Sequence, residues 1–208
     1  IIAAGSSGIF RYAAEEKRWE KLMSGMDTDF SLSDRWCTGM AAMENGTIYA
    51  LFSQNGGNAI LNEYRYDPDA VVEVTEVLKL YAVEESYLLQ NAVALYHRTH
   101  PEIMIETEYA YSIDDRYSGV EYDYNEVYRK LNTMLMSGDA PDILVLDHLN
   151  PDSFIEKGLL ADLGGVIAPM EEVGELLTNI TDRYRTEDGS MYVIPMQFGF
   201  SYITGRDI

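Results

Sequence analysis

Short stretches of alternating apolar and polar residues fill the first 72 positions of the chain. Turn residues separate these stretches, including the pair Asn45-Gly46 and the run Asn55-Gly56-Gly57. Successive side chains of a β-strand point to opposite faces, so a strand with one buried face alternates apolar and polar residues. Asn-Gly pairs favour tight hairpin turns. The pattern therefore predicts antiparallel strands. They are expected at residues 8–12, 18–22, 46–52 and 60–66.

The pattern changes after residue 75, where apolar strands begin to alternate with helical segments. Leu88, Ala92 and Leu95, for example, recur at helical spacing along one segment. Alternation of this kind is typical of a parallel sheet with crossover helices. We therefore predict two domains, 1–75 and 76–208. In the second, strands are expected at 77–83, 103–109, 143–146 and 191–196, and helices at 87–98, 125–137 and from 151.

Composition narrows the classes of partner. The 208 residues are 47% hydrophobic and carry a net charge of -20, which repels phosphate backbones and anionic lipid surfaces. Nucleic acid is therefore not expected as a partner. The acidity could favour a neutral or cationic ligand, or it could simply solvate the surface. The single cysteine, Cys37, is interpreted as a buried structural thiol.

The first region resembles blades of a β-propeller. The resemblance rests on a Gly-Ile-Phe-Arg-Tyr strand at 8–12, a Trp-Glu-Lys-Leu strand at 19–22 and Asn-Gly-Thr-Ile-Tyr-Ala-Leu at 45–51. A propeller needs about four blades to close, and fewer than two fit here. The region is expected to be a propeller fragment or a small sheet packed on the second region.

The second region resembles the first lobe of a bacterial extracellular solute-binding protein of family 1. Its motifs occur in the family's order: a Pro-Glu-Ile strand from 101, Ser-Gly-Asp-Ala-Pro-Asp-Ile at 137–143, Gly-Leu-Leu at 158–160 and Tyr-Val-Ile-Pro at 192–195. The resemblance implies an α/β, periplasmic-binding-protein-like lobe with a mostly parallel sheet. It also implies a non-enzymatic binding component of an ABC importer, with a membrane permease as partner.

Further expectations follow from this resemblance. The second lobe is expected to be absent, because the sequence stops about where family members cross into it. The full protein is expected at the cell surface or outside the cell, as a lipoprotein whose signal peptide and anchor are not in this chain. A carbohydrate is the leading ligand class by family frequency. Maltodextrin contacts do not carry over, since Leu146, Leu149 and Asn150 replace the residues of that branch.

Ligands of this family sit at the carboxyl ends of parallel strands, as in open α/β sheets generally. Three loops follow such ends, at 84–87, 147–150 and 197–202. Carboxylates and amides there suit hydroxyl groups, and aromatic rings suit a sugar face. The residues expected to bind the ligand are Glu84, Glu85, Tyr87, Asp147, His148, Asn150, Phe198 and Tyr202. Tyrosines at 109, 111, 117, 122, 124 and 128 either line this cleft or pack the lobe.

Other chemistry is disfavoured. Asp139 and Asp142 flank a break between helix and strand, where they are expected to support a turn rather than catalysis. Pro101 weakens a metal site at His97 and His100, so no metal or cofactor is expected. A calcium-like run at 121–126 is better explained by a helix N-cap at Asp123 or Asn125. The competing functional hypothesis is a protein or polysaccharide interaction module in which the propeller-like part recognises the partner.

Overall fold

Six antiparallel strands form two three-stranded sheets in the N-terminal part of the computed structural model, which describes residues 1–54, 56–67, 69, 73–146 and 149–196. The first sheet has the order β1-β2-β3 and the second β4-β5-β6. The antiparallel prediction is confirmed. The strands are β1 Ile2–Gly5, β2 Gly8–Ala13, β3 Arg18–Ser24, β4 Arg35–Ala42, β5 Ile48–Gln54 and β6 Ala59–Tyr64. We call residues 1–64 the β region.

Glycines shape one hairpin in each of the two sheets. Gly8 has a positive φ of 138°, and a Cβ there would lie 2.2 Å from the Met23 carbonyl oxygen on β3. Gly46 has a φ of 84° and donates its amide to the Met43 carbonyl at 3.0 Å, which closes the turn between β4 and β5. A larger residue at Gly8 would therefore separate β2 from β3.

The two sheets share one apolar core. Its buried residues include Ile9 of β2 and Phe52 of β5, and the Phe30 ring meets Phe52 edge-on with 4.9 Å between centroids. Cys37 lies on the edge strand β4 and is exposed, so its interpretation as a buried thiol is wrong. The reason is that β4, with nearly every residue exposed, lies at the margin of this core.

A parallel sheet with the order β8-β7-β9 follows in the chain, which confirms the predicted α/β lobe. Leu80 and Ala82 of the central strand pack against Leu89 and Val93 of the first helix. The strands are β7 Glu76–Glu84, β8 Ile103–Tyr111 and β9 Ile143–Val145, and the helices are α1 Tyr87–Thr99, α2 Ile113–Ser118 and α3 Tyr124–Ser137.

Local side chains begin and end these helices. The Ser86 hydroxyl accepts a hydrogen bond from the Leu89 amide at 3.2 Å and caps α1. Asp123 accepts from the amides of Asn125 and Glu126 and caps α3, which confirms the N-cap interpretation of this acidic run. Gly138 ends α3 in the left-handed conformation that glycine favours.

The β region packs on α1 through contacts along the length of the helix. Arg98 donates to an Asp29 carboxylate oxygen and to the Thr28 carbonyl oxygen, both at 2.6 Å. Ser33 donates its amide to the Asn91 side-chain oxygen at 2.9 Å. The β region therefore contacts α1 through polar side chains, and its relation to a propeller stays a prediction.

Contacts divide the chain into two compact units, Ile1–Asp147 and His148–Ile208. The predicted boundary at residue 75 stays a prediction. The second unit contains α4 Asp152–Ile155, α5 Gly164–Glu172 and α6 Thr178–Thr181. Within 149–196, the predicted strand at 191–196 is reduced to one bridge between Met191 and Arg185, so that prediction is wrong for the described residues. No helix among the described residues is both long and apolar enough to cross a membrane.

Candidate functional site at the ends of the parallel strands

The carboxyl ends of β7 and β8 meet at one edge of the parallel sheet. Glu84, the last residue of β7, pairs in register with Tyr111, the last residue of β8. The Glu85 amide donates a hydrogen bond to the Tyr111 carbonyl oxygen at 2.9 Å. The segments that follow β7 and β8 therefore leave the sheet side by side. This edge places the predicted loop at 84–87 beside the start of α2.

Glu84 forms an ion pair with Arg116 of α2. The Glu84 side chain is only 13% exposed, whereas that of Arg116 is half exposed. Hydrogen bonding to the Glu84 carboxylate, followed by its negative charge, raises the pKa of the Arg116 guanidinium. The pair thus presents a carboxylate and a guanidinium together at the strand ends, which suits a ligand that both donates and accepts hydrogen bonds.

Glu85 has a different role. One of its oxygens accepts from the Gln90 side-chain amide at 2.6 Å, and the other accepts from the Ile113 backbone amide at 3.0 Å. The carboxylate therefore connects the first turn of α1 to the first turn of α2. Its two oxygens are already engaged in holding the loop, although their predicted contact with ligand stays a prediction.

Three tyrosines lie next to the Glu84 ion pair. The rings of Tyr111 and Tyr122 are stacked, with 4.0 Å between centroids and 11° between planes, and Tyr124 meets Tyr122 edge-on at 6.2 Å. The Tyr111 hydroxyl accepts from the Asp123 amide at 2.7 Å. Burial and then the negative charge of Glu84 raise the pKa of Tyr124.

The other predicted ligand residues divide into two groups. Tyr87 opens α1 with 52% of its surface exposed. Asn150, in the second unit, accepts from the Asp152 amide at 3.0 Å and helps to start α4. The remaining four, Asp147, His148, Phe198 and Tyr202, lie outside the described residues. Their placement at the ligand therefore stays a prediction.

Sequence reasoning did not single out Arg116. A local signal was present, because Arg116 directly follows the pair Asp114-Asp115 a few residues after the end of a predicted parallel strand. The ion pair itself joins positions 32 residues apart, which no local pattern reveals. The stacked tyrosines were noted as either cleft-lining or packing, and the stack gives them a place at the strand ends.

The aspartates and histidines considered for catalysis or metal binding contact other side chains of the protein. Asp139 pairs with the Lys79 ammonium, and Asp142 accepts from the Lys79 amide at 2.8 Å, in keeping with the turn interpretation. His97 lies 3.4 Å from an Asp27 oxygen, and the His100 ring stacks on Tyr96 with 4.4 Å between centroids. Among the described residues, no three His, Cys, Asp or Glu side chains are grouped to hold a metal.

An open parallel sheet whose loops gather polar and aromatic side chains at the strand ends defines a ligand-binding α/β lobe. A comparison with known protein families supports a ligand-binding lobe. The sequence profile described as bacterial extracellular solute-binding protein matches residues 81–204, more than half of the chain. The chain therefore belongs to this family, whose members bind and deliver solutes rather than catalyse reactions.

A solved structure is also similar to this chain, the ABC substrate-binding protein Lmo0181 from Listeria monocytogenes in complex with cycloalternan. The TM-score is 0.37 and the sequence identity 19%. The similarity covers 56% of this chain and 27% of that one, so the chain spans about a quarter of the solved protein. No curated protein matches the chain. Similarity at this level assigns no ligand.

Proposed function

We propose that this chain captures a small solute, with a carbohydrate as the first candidate, for an ABC importer at the bacterial surface or in the periplasm. Solute capture follows from the family. The observation that supports the ligand class is the stack of Tyr111 and Tyr122 beside the Glu84–Arg116 ion pair. Aromatic rings pack on the apolar face of a sugar ring, while charged side chains hydrogen-bond its hydroxyl groups.

In this proposal, the lobe contacts the solute from one side. Ligand binding would shift a hinge-bending equilibrium of the full protein toward a closed state, which the membrane permease would recognise. Because one lobe supplies part of the contact surface, we expect this chain alone to bind a sugar with a Kd of about 1 mM or weaker. Sub-micromolar affinity of these 208 residues would contradict the idea that they form only part of the cleft.

Isothermal titration calorimetry with a panel of mono- and oligosaccharides tests the proposal. We expect one sugar class to bind, and Glu84→Gln to weaken that binding at least about tenfold, because the neutral amide loses the charge-assisted hydrogen bonds. Glu63→Gln is the matched control, since Glu63 pairs with Arg65 on the exposed side of β6 and should leave the affinity unchanged. Equal losses in both variants would argue against a site at Glu84.

A second candidate function is recognition of a protein or polysaccharide by the β region. One observation favours it: the Tyr12 and Trp19 rings lie 5.3 Å apart on neighbouring strands, and Trp19 is 49% exposed. If this pair is the recognition element, Trp19→Ala should abolish binding of a polysaccharide in a pull-down assay while Glu84→Gln leaves it intact. The reverse result would favour solute capture at the strand ends.

A further inference from the structure

A cavity of about 330 Å³ lies between α3 and the middle of the parallel sheet, away from the strand ends. In the register of β7 and β8, Lys79 lies beside Glu106. Two positions further on, Tyr81 lies beside Glu108, so these four side chains share one face of the sheet. All four line the cavity, and Met134 of α3 lines it from the facing helix. The volume is at the lower end of the range of about 300–1,000 Å³ that small-molecule sites occupy.

The Tyr81 hydroxyl is a buried polar group without a partner at this cavity. The Tyr81 side chain is fully buried, and among the described residues its hydroxyl forms no hydrogen bond. A buried hydroxyl of this kind costs about 1–3 kcal/mol, because it has lost its hydrogen bonds to water. Few such groups occur in native proteins, and a bound molecule is one of their ordinary explanations. The cavity therefore suits a ligand that forms a hydrogen bond with this hydroxyl.

The carboxylates at the cavity are not all neutralised by cationic side chains. Glu108 forms an ion pair with Lys130 of α3 at 2.7 Å, and Asp139 forms one with Lys79. Glu106 also lines the cavity, and among the described residues it forms neither an ion pair nor a hydrogen bond. One negative charge is therefore left at the cavity. This charge favours a ligand with a single positive charge and disfavours an anion.

The kind of cation follows from the remaining groups. A primary ammonium has three N–H donors, which can serve both the Glu106 carboxylate and the Tyr81 hydroxyl oxygen. Met134 and Pro141 supply apolar surface on which a short carbon chain can pack. A metal ion is a poorer match, because the described residues contain no group of three metal-ligating side chains. We propose that this cavity binds a small primary amine in its ammonium form, separately from the solute site at the strand ends.

An amine bound here would contact β7, β8 and α3 together. It would add to the ion pair of Lys130 with Glu108, which already joins α3 to β8. A ligand that binds only the folded form stabilises that form, so the amine should raise the temperature at which the chain unfolds. Thermal unfolding thus gives a second readout besides direct binding.

The test is a ligand-observed NMR titration of the whole chain with n-butylamine, at neutral pH and about 0.15 M salt. The salt screens general attraction to the net charge of -20. We expect saturable binding with a Kd of about 1 mM. Tetramethylammonium carries the same charge without an N–H donor and should bind at least about tenfold more weakly. No saturable binding of n-butylamine up to about 10 mM, or equal binding of the two cations, would overturn the proposal.

Two variants place the amine at this cavity. Tyr81→Phe keeps the ring and removes only the hydroxyl, so it should weaken binding about fivefold while the free chain keeps its unfolding temperature. Glu106→Gln should weaken binding at least about tenfold through loss of the charge-assisted hydrogen bond.

Glu76→Gln is the matched control. Glu76 is exposed at the start of β7, and its odd spacing from Lys79 puts it on the opposite face of the sheet. This variant should leave the affinity for n-butylamine within about twofold of the original value. Unchanged binding in both Tyr81→Phe and Glu106→Gln would overturn the proposal. A loss in Glu76→Gln as large as that in Glu106→Gln would also overturn it, since the amine would then respond to overall charge and not to this cavity.

Discussion

The β region and the parallel sheet stabilise their buried polar groups in different ways. In the β region, the Asp29 carboxylate is 5% exposed and is held by Arg35, by Arg98 and by Asn62. In the parallel sheet, the fully buried Tyr81 hydroxyl has no hydrogen-bond partner among the described residues. The antiparallel part thus adds a charged network to its apolar core, whereas the parallel part leaves a buried hydroxyl unpaired within its apolar packing.

The two regions are therefore expected to be sensitive to different substitutions. A small pair of sheets buries little apolar surface, so a satisfied polar network contributes a large share of its specificity. The network also reaches α1 through Arg98, and therefore links the β region to the helix that follows the candidate ligand loop. Changes at Asp29 should consequently affect both regions, whereas loss of the Tyr81 hydroxyl alone should affect neither.

Asp29→Ala should give the largest effect. Removing the carboxylate leaves the mostly buried Arg35 and Arg98 guanidinium groups without their negatively charged partner, and breaking such a network costs about 3–5 kcal/mol. Urea unfolding followed by circular dichroism measures this loss. Asp27→Ala is the control, because the Asp27 side chain is half exposed and its loss should cost at most about 1 kcal/mol. Similar losses for the two variants would contradict the network's special role.

Acid should weaken the same network. Burial alone would raise the pKa of Asp29, but hydrogen bonds from Asn62 and Arg98 and the charges of Arg35 and Arg98 together hold it below its usual value. The folded-state pKa is then lower than the unfolded one of about 3.9. The stabilisation is complete above that unfolded pKa and is lost as pH falls through the folded pKa.

The pH prediction is measured by comparing urea unfolding of the original chain and of Asp29→Asn from pH 6 down to pH 2.5. Other carboxylates titrate in both proteins, so the difference isolates Asp29. We expect the free energy of unfolding to fall less steeply with acid in the variant. Parallel curves for the two proteins would show that Asp29 does not contribute to acid sensitivity.

Two tyrosines provide a matched comparison between the regions. The Tyr64 hydroxyl accepts from the Asp29 amide at 3.1 Å and from Asn62 at 3.0 Å. Tyr64→Phe should therefore cost about 1–3 kcal/mol by leaving buried donors unpaired. Tyr81→Phe removes a hydroxyl that has no described partner and should change stability by less than about 0.5 kcal/mol, or increase it. Thermal unfolding separates the two outcomes, and an equal loss would contradict the contrast.

Ser86→Ala should have a smaller effect, about 1 kcal/mol, because it removes the cap of α1. Ser137→Ala, at the other end of a helix where the hydroxyl only supplements the backbone, serves as the control. Chemical denaturation measures both. A loss at Ser137 as large as that at Ser86 would indicate that capping does not stabilise the ligand loop.

Local patterns predicted much of this fold because hairpin turns and helical periodicity are encoded by neighbouring residues. The strand β4 was missed because nearly all of its residues are exposed, so no alternation marks a buried face. The strand expected at 191–196 has apolar residues, but in the described part only Met191 has a bridging partner. Whether a pairing strand lies beside a segment depends on the whole fold and not on the sequence of that segment.

The candidate site was predictable to the same extent. The rule that ligands gather at the carboxyl ends of parallel strands pointed to the loop at 84–87, where Tyr87 is exposed, and ligand contact there stays a prediction. The separate roles of Glu84 and Glu85 were not predictable, because they depend on Arg116, Gln90 and the Ile113 amide. The hydrogen-bond network of Asp29 was not predicted for the same reason, since its partner Arg98 is 69 positions away in the sequence.

The most direct test of solute capture is a map of amide chemical-shift changes by ¹H–¹⁵N NMR during titration with the sugar that calorimetry selects. We expect the largest changes at the ends of β7 and β8, around Glu84, Tyr111 and the start of α2. Changes confined to Tyr12 and Trp19 of the β region, with none at the strand ends, would contradict it.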